Sequence, residues 1–115
     1  MAKEFDLEKR TTEFGKAMIR LCKALPGNPM NNRLIGQVVG AGGSVGANYR
    51  ETNDALGKKD FVQRLKIARR ETKETSHWLE LLLEANPDNG IAIKALIKEA
   101  VELKNILSSI LNKTG

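Results

Sequence analysis

The sequence predicts an all-α protein, an antiparallel up-and-down four-helix bundle formed by one domain over residues 1–115, and three observations favour this fold class. The chain has 41% hydrophobic and 29% charged but only 4% aromatic residues, a balance typical of helical rather than β-rich domains. Three loop signals, at 25–29, 56–57 and 86–90, divide it into four stretches of similar length. In each stretch apolar residues recur at helical spacing, which indicates one buried face per helix.

The first two stretches each carry a helix start signal. Asp6 is a good N-cap for a helix over residues 7–24, and Asn28 followed by Pro29 starts a second helix over residues 29–55. The buried face of the first helix is predicted to contain Leu7, Phe14, Met18, Leu21 and Leu25. The buried face of the second helix is predicted to contain Leu34, Val38, Ala41, Val45, Asn48, Thr52 and Ala55.

The third helix is predicted over residues 58–85 and the fourth over residues 88–112. The buried face of the third helix is predicted to contain Phe61, Leu65, Ala68, Thr72, Thr75, Leu79 and Leu82. That of the fourth is predicted to contain Ile93, Leu96, Ala100, Leu103, Leu107 and Ile110. A polar residue on such a face costs stability but fixes the register of two helices. Because buried polar groups are normally paired, we expect Asn48 to contact side chains of the third helix.

The glycine-rich segment 40–46 resembles a phosphate-binding loop only superficially. It lies inside a predicted helix, no strand precedes it, and no Gly-Lys-Ser/Thr follows it. Each interior glycine costs roughly 1 kcal/mol relative to alanine, so packing must compensate for it. Gly36, Gly40, Ser44 and Asn48 fall four residues apart. This spacing predicts close helix packing, within the bundle or between subunits.

Residues that could carry chemistry are few. One cysteine, Cys22, and one histidine, His77, exclude an internal disulfide and a multi-histidine metal site. Glu74 and His77 match the Glu-x-x-His of di-iron bundles, but a complete site would have to be shared between subunits. Glu51, Glu71 and Glu74 lie near many Arg and Lys residues, so we assign them to helix-packing or subunit contacts rather than to acid–base catalysis. The sequence therefore predicts no enzyme activity and no cofactor.

Positive charge is concentrated in one part of the chain. From Arg50 to Arg70, seven basic against three acidic residues give +4 of the total net charge of +5. On the third helix, one face carries Lys59, Lys66, Arg70 and Lys73. A stripe of this kind fits phosphate backbones, although a solvated helix face explains it equally well. The candidate nucleic-acid-binding residues are Arg50, Lys58, Lys59, Arg64, Lys66, Arg69, Arg70 and Lys73. Interleaved aromatic residues are missing, so base-specific readout of single strands is not expected.

Several motifs together resemble the four-helix-bundle family named after the 23S rRNA intervening sequence. The most specific is Gly-Ser-Val-Gly-Ala-Asn-Tyr-Arg-Glu over residues 43–51, and the others are Arg-Thr-Thr-Glu-Phe at 10–14, Leu-Lys-Ile-Ala at 65–68 and Trp-Leu-Glu-Leu-Leu at 78–82. The resemblance covers residues 5–83. Two residues depart from the family pattern, since His77 replaces a usual Tyr and Gly57 replaces a common capping Ser.

The resemblance implies a small bacterial bundle without enzyme activity. Relatives that accompany diversity-generating retroelements form basic five-membered rings and bind a reverse transcriptase and nucleic acid. We therefore expect a cytoplasmic homo-oligomer, with a pentamer favoured, that binds RNA or DNA backbones through helices two and three. No run of the sequence is apolar over the length that a membrane span needs, so no membrane partner is expected. The alternative is a protein-interaction or scaffold subunit, for example a reverse-transcriptase accessory protein.

Overall fold

Four helices, each packed against the next, form the bundle that the sequence predicts. The structure is a computed structural model that describes residues 6–114. Its helices are α1 (Leu7–Lys23), α2 (Pro29–Asn53), α3 (Lys58–Ala85) and α4 (Gly90–Thr114). No strand occurs within these residues, and none of their helices is both long and apolar enough to cross a membrane. The bundle measures 45 × 26 × 19 Å.

The helix ends follow the local signals closely. The Asp6 carboxylate accepts a hydrogen bond from the Lys9 N–H at 3.1 Å, and the Asn28 side chain accepts one from the Asn31 N–H at 2.8 Å. Both predicted N-caps are thus confirmed. The third helix begins at Lys58 after Gly57, whose φ of 129° suits a residue without a side chain.

Four helix boundaries differ from the prediction, the ends of α1 and α2 and both ends of α4. Helix α1 ends at Lys23, one residue early, and α2 ends at Asn53, two residues early, where the Asp54 N–H bonds back three residues to Glu51. Helix α4 begins at Gly90 because residues 87–89 form a 3₁₀ turn, closed by the Asn89 N–H on the carbonyl of Asn86. It continues to Thr114. Tighter three-residue hydrogen bonding is common at helix termini, and apolar periodicity does not reveal it.

Specific contacts show that neighbouring helices run antiparallel. Met18 and Thr11 of α1 lie against Gly42 and Gly46 of α2, so position falls along α1 as it rises along α2. Asn31 at the start of α2 meets Asn86 at the end of α3. Gly90 at the start of α4 lies beside Leu83 of α3. The α2–α3 interface is the most extensive and the α1–α4 interface the least.

The predicted buried faces form the core. All five of the residues predicted on α1 are buried, as are six of the seven predicted on α3. On α2 and α4, the half-buried members of the predicted faces are Leu34, Asn48, Ala55, Leu96 and Ile110. Each Val, Leu, Ile, Phe or Met side chain that this core buries fully contributes about 1.5–3 kcal/mol to the free energy of unfolding. The buried Thr72 and Thr75 hydroxyls donate to carbonyls of their own helix, at 2.6 and 2.7 Å, so the core accommodates them without a partner on another helix.

The glycines that permit close packing inside the bundle are not the predicted ones. A Cβ atom at Gly42 would lie 2.7 Å from Met18 Cγ, and one at Gly46 would lie 3.3 Å from the Thr11 carbonyl oxygen. These two glycines let α1 approach α2. Gly36 and Gly40 are exposed, and a Cβ atom there would meet nothing within 4 Å. The expectation of close packing within the bundle is therefore wrong for Gly36 and Gly40, because these two residues lie on the opposite side of α2. Ser44 and Asn48 of the same stripe are half-buried, and packing between subunits stays a prediction.

The buried polar contact between helices also differs from the prediction. Asn48 is half-buried, and its amide donates to the Ser44 carbonyl on its own helix at 2.9 Å rather than to α3. Asn31 and Asn86, 1% and 5% exposed, take the role expected of Asn48. Their amides exchange two hydrogen bonds of 2.9 Å. The remaining N–H groups donate to the carbonyls of Pro26 and Leu82, at 2.8 and 3.0 Å.

Substitution of one member of this amide pair should destabilise the bundle. We expect Asn86→Leu to lower the free energy of unfolding by about 1–3 kcal/mol, because it leaves the buried Asn31 amide without its partner. The double variant Asn31→Leu/Asn86→Leu should cost less than the two single variants added together. Urea unfolding measures all three, and the exposed Asn105→Leu on α4 is the control. Strictly additive costs would contradict a direct coupling between the two amides.

Candidate nucleic-acid interface

The outward face of α3 carries a line of exposed cations. Lys59, Lys66, Arg70 and Lys73 are all exposed, on the side of the helix opposite its buried residues. With a rise of about 1.5 Å per residue, they extend over roughly 21 Å of helix. The placement agrees with the predicted stripe, because both follow from the same helical periodicity.

Two adjoining depressions of the surface are lined by these four side chains and by their neighbours. The larger, of about 860 Å³, is lined by Lys66, Arg69, Arg70 and Lys73, together with Gln63, Ile67, Glu71 and Glu74. The smaller, of about 530 Å³, lies at the α2–α3 loop and is lined by Leu56, Gly57, Lys58, Lys59, Asp60 and Gln63. Gln63 borders both. The cations of α3 therefore form a continuous surface from the loop to the middle of the helix.

Three of the eight predicted cations bind partners within the bundle. Arg50 turns towards α1, where it lies 3.4 Å from the Glu8 carboxylate and donates to the Thr12 hydroxyl at 3.1 Å. Arg50 therefore lies apart from the α3 surface, and its predicted contact with nucleic acid stays a prediction.

The other two cations that bind partners within the bundle, Arg64 and Arg69, belong to α3 itself. Arg64 lies 3.5 Å from Asp60, and Arg69 donates to the Ser108 hydroxyl of α4 at 3.4 Å. Over residues 6–114, the remaining five form no ion pair: Lys58, Lys59, Lys66, Arg70 and Lys73. We call these five residues the free cations of α3.

Two carboxylates lie among the cations. Glu71 is half-buried, and burial raises the pKa of its carboxyl group, with a further increase from the neighbouring Glu74 that Arg70 partly opposes. Glu74 and Glu51 are exposed. These three residues are therefore not core packing residues of the bundle, and their role in subunit contacts stays a prediction.

The other residues considered for chemistry do not assemble into a site. Cys22 is buried, and burial raises the pKa of its thiol. His77 packs edge-on against Trp78, with ring centroids 4.9 Å apart. Within the described part of the chain, no three His, Cys, Asp or Glu side chains come close enough to hold a metal ion.

Sequence reasoning missed the partners of Arg50 and Arg69. These partners lie 38 and 39 residues away in sequence, so no local pattern signals them. The buried Asn31 did carry a signal, because it lies seven residues before Val38 and continues the buried face of α2 towards its N-terminus.

The fold and this surface define a basic four-helix bundle, and comparison with known proteins places it in a family. The chain belongs to the 23S rRNA-intervening sequence protein family, whose sequence model matches residues 3–109. The match extends past the predicted resemblance and includes most of α4. A solved structure from Bacteroides thetaiotaomicron, described as a protein with unknown function from the S23 ribosomal protein family, is 30% identical in sequence. The similarity covers 90% of this chain and 96% of that one, with a TM-score of 0.82. A comparison with curated proteins gives no significant match.

The raised pKa of Glu71 should make stability depend on pH. A carboxyl pKa higher in the folded than in the unfolded chain means that the folded chain binds more protons, so stability falls as pH rises through the interval between the two values. Glu71→Gln removes this effect. We expect it to raise the urea midpoint relative to the unmodified chain more at pH 7 than at pH 4, below the ordinary value of 4.5.

The exposed Glu84→Gln on the same helix is the matched control for Glu71→Gln. An equal change in the urea midpoint for both variants, or a larger gain at pH 4, would show that Glu71 does not carry the effect.

Proposed function

We propose that this protein acts by binding rather than catalysis, and that it holds the backbone of nucleic acid on the outward face of α3. The observation that carries the proposal is the line of free cations of α3, which lie exposed along one helix and form no ion pair among residues 6–114. Lys and Arg side chains that contact phosphates release condensed counterions, which supplies affinity without regard to base sequence.

The chemistry of the surface supports contacts with phosphates rather than with bases. Lysine ammonium groups act as point charges for phosphate, and Arg70 can offer a planar pair of donors. The outward positions between Lys59 and Lys73 carry no Phe, Tyr or Trp on which bases could stack. Affinity should therefore tolerate changes of sequence and fall steeply as salt concentration rises.

Reversal of charge in the larger depression tests the proposal. We expect Lys66→Glu/Arg70→Glu/Lys73→Glu to abolish binding to duplex DNA and to structured RNA at low salt, because three attractive contacts become repulsive. Fluorescence anisotropy measures the affinity, and circular dichroism verifies that the helices remain.

A control variant separates this face from total charge. Lys94→Glu/Lys98→Glu/Lys113→Glu changes the net charge equally but alters exposed residues of α4. It should lower the affinity far less. Equal losses of affinity in the two triple variants would show that net charge, rather than the α3 face, governs binding. The proposal fails if the unmodified chain at high micromolar concentration binds neither duplex DNA nor structured RNA.

A second candidate function is assembly through the outward face of α2, either with further copies of the chain or with a protein partner. Gly36, Gly40 and Gly43 are exposed, and a Cβ atom at any of them would meet nothing within 4 Å. Packing within the bundle therefore does not explain why glycine occurs at these three positions. Each glycine lowers the stability of the helix by roughly 1 kcal/mol relative to alanine. By resemblance to the retroelement-associated relatives, the assembly is a homopentamer and the protein partner a reverse transcriptase.

Measurement of mass in solution tests this assembly. Multi-angle light scattering should give a mass near five times that of the 12.7 kDa chain. Gly40→Gln should reduce the mass while the helical content remains, because the added side chain meets open space in the monomer but would obstruct a close neighbour. A monomeric mass for the unmodified chain would exclude the ring.

A further inference from the structure

We infer that the nucleic acid held on α3 is double-stranded and that it contacts the N-terminal half of this helix alone. The inference rests on the proposed function and specifies the class of its ligand. It follows from how charge is distributed along α3, from which side chains face outward, and from the spacing of the cations.

The charge of α3 changes sign along its length. Residues 58–73 contain seven basic and two acidic side chains, which gives +5. Residues 74–85 contain Glu74, Glu80 and Glu84 and no Lys or Arg, which gives −3. All three of these glutamates are exposed. The section that attracts a polyanion is therefore about 22 Å long, and the following turns repel it.

The spacing of the cations suits phosphates on two strands. Lys59, Lys66 and Lys73 are separated by two helical turns each, roughly 10.5 Å, and all three are exposed. The major groove of B-form DNA is about 12 Å wide, so neighbouring lysines of this series can reach phosphates on both sides of one groove. A duplex also presents one charge per roughly 1.7 Å of its axis, twice that of each strand by itself.

The side chains that would favour a single strand are missing from this section. Proteins that bind single strands add aromatic platforms, worth about 1–3 kcal/mol per stacked base, to a charged groove. The aromatic residues of α3, Phe61 and Trp78, are half-buried and pack against the core. His77 is exposed, but it lies in the acidic section and packs against Trp78. The face therefore offers attraction for phosphates without stacking for bases.

A comparison of strands tests the inference on the full-length chain. Anisotropy titrations would use a 20-base-pair DNA duplex, each of its two separated strands, and the RNA duplex of the same sequence, at equal phosphate concentration and low salt. We expect both duplexes to bind at least about tenfold more tightly than either single strand. With three to five phosphate contacts per chain, log Kd for the DNA duplex should rise with log salt with a slope of roughly 3 to 4.5.

The two possible failures are distinguishable. If a single strand binds as tightly as the duplex, the inference is wrong and the proposed function stands. If neither duplex nor single strand binds at low salt, the proposed function itself is wrong.

A pair of variants tests the limit of the contact. Glu80→Lys/Glu84→Lys extends the cationic section into the C-terminal half of α3. It should tighten duplex binding and steepen the salt slope by up to about 1.8, because two further phosphates come within reach. The control Glu13→Lys/Asp88→Lys makes the same change of charge at exposed residues outside α3. Equal tightening by both variants would show that net charge rather than position on α3 governs affinity, and would overturn the confinement of the contact to the N-terminal half of α3.

Discussion

The hydrogen bonds between the amides of Asn31 and Asn86 fix how α2 and α3 lie against each other. All four N–H groups of the two side chains are used, and both residues are buried where the start of α2 meets the end of α3. A slip of one helical turn, about 5.4 Å, would leave both amides unpaired in the interior, at a cost of about 1–3 kcal/mol each. Apolar side chains alone tolerate such slips more readily. Since α2 and α3 share the most extensive interface, their register determines where α1 and α4 pack.

Helices α1 and α4 pack against the α2–α3 pair through different contacts. Helix α1 approaches α2 closely over Gly42 and Gly46, where Met18 and Thr11 fill the space of absent side chains. Helix α4 packs on α3 through its apolar face. The narrow α1–α4 interface is closed by Arg10, which binds Glu99 through two hydrogen bonds of 2.7 and 2.8 Å and Glu102 through one of 2.9 Å. These charge-assisted hydrogen bonds, that to Glu99 foremost, hold the pKa of Arg10 above its ordinary value.

The same arrangement leaves the outward face of α3 available for binding. Because α3 packs between α2 and α4, its third side faces solvent, and the cations there have no neighbouring helix to supply carboxylates. Arg50 and Arg69 point instead towards α1 and α4 and bind there, so they contribute to the cohesion of the bundle. The surface that the proposal uses is thus narrower than the basic segment of the sequence.

The sequence by itself determined the four helices, the N-caps of α1 and α2 and most of the buried faces, because these depend on neighbours within one or two helical turns. Leu65, Ala68 and Leu79, for example, are buried where a period of 3.6 residues puts them. Only the tertiary structure decided that Gly42 and Gly46, rather than Gly36 and Gly40, admit a neighbouring helix, and that Asn31 rather than Asn48 pairs with α3. It likewise decided which cations stay free. Each of these outcomes depends on the rotation and register of one helix against another, and periodicity along a single chain does not set these quantities.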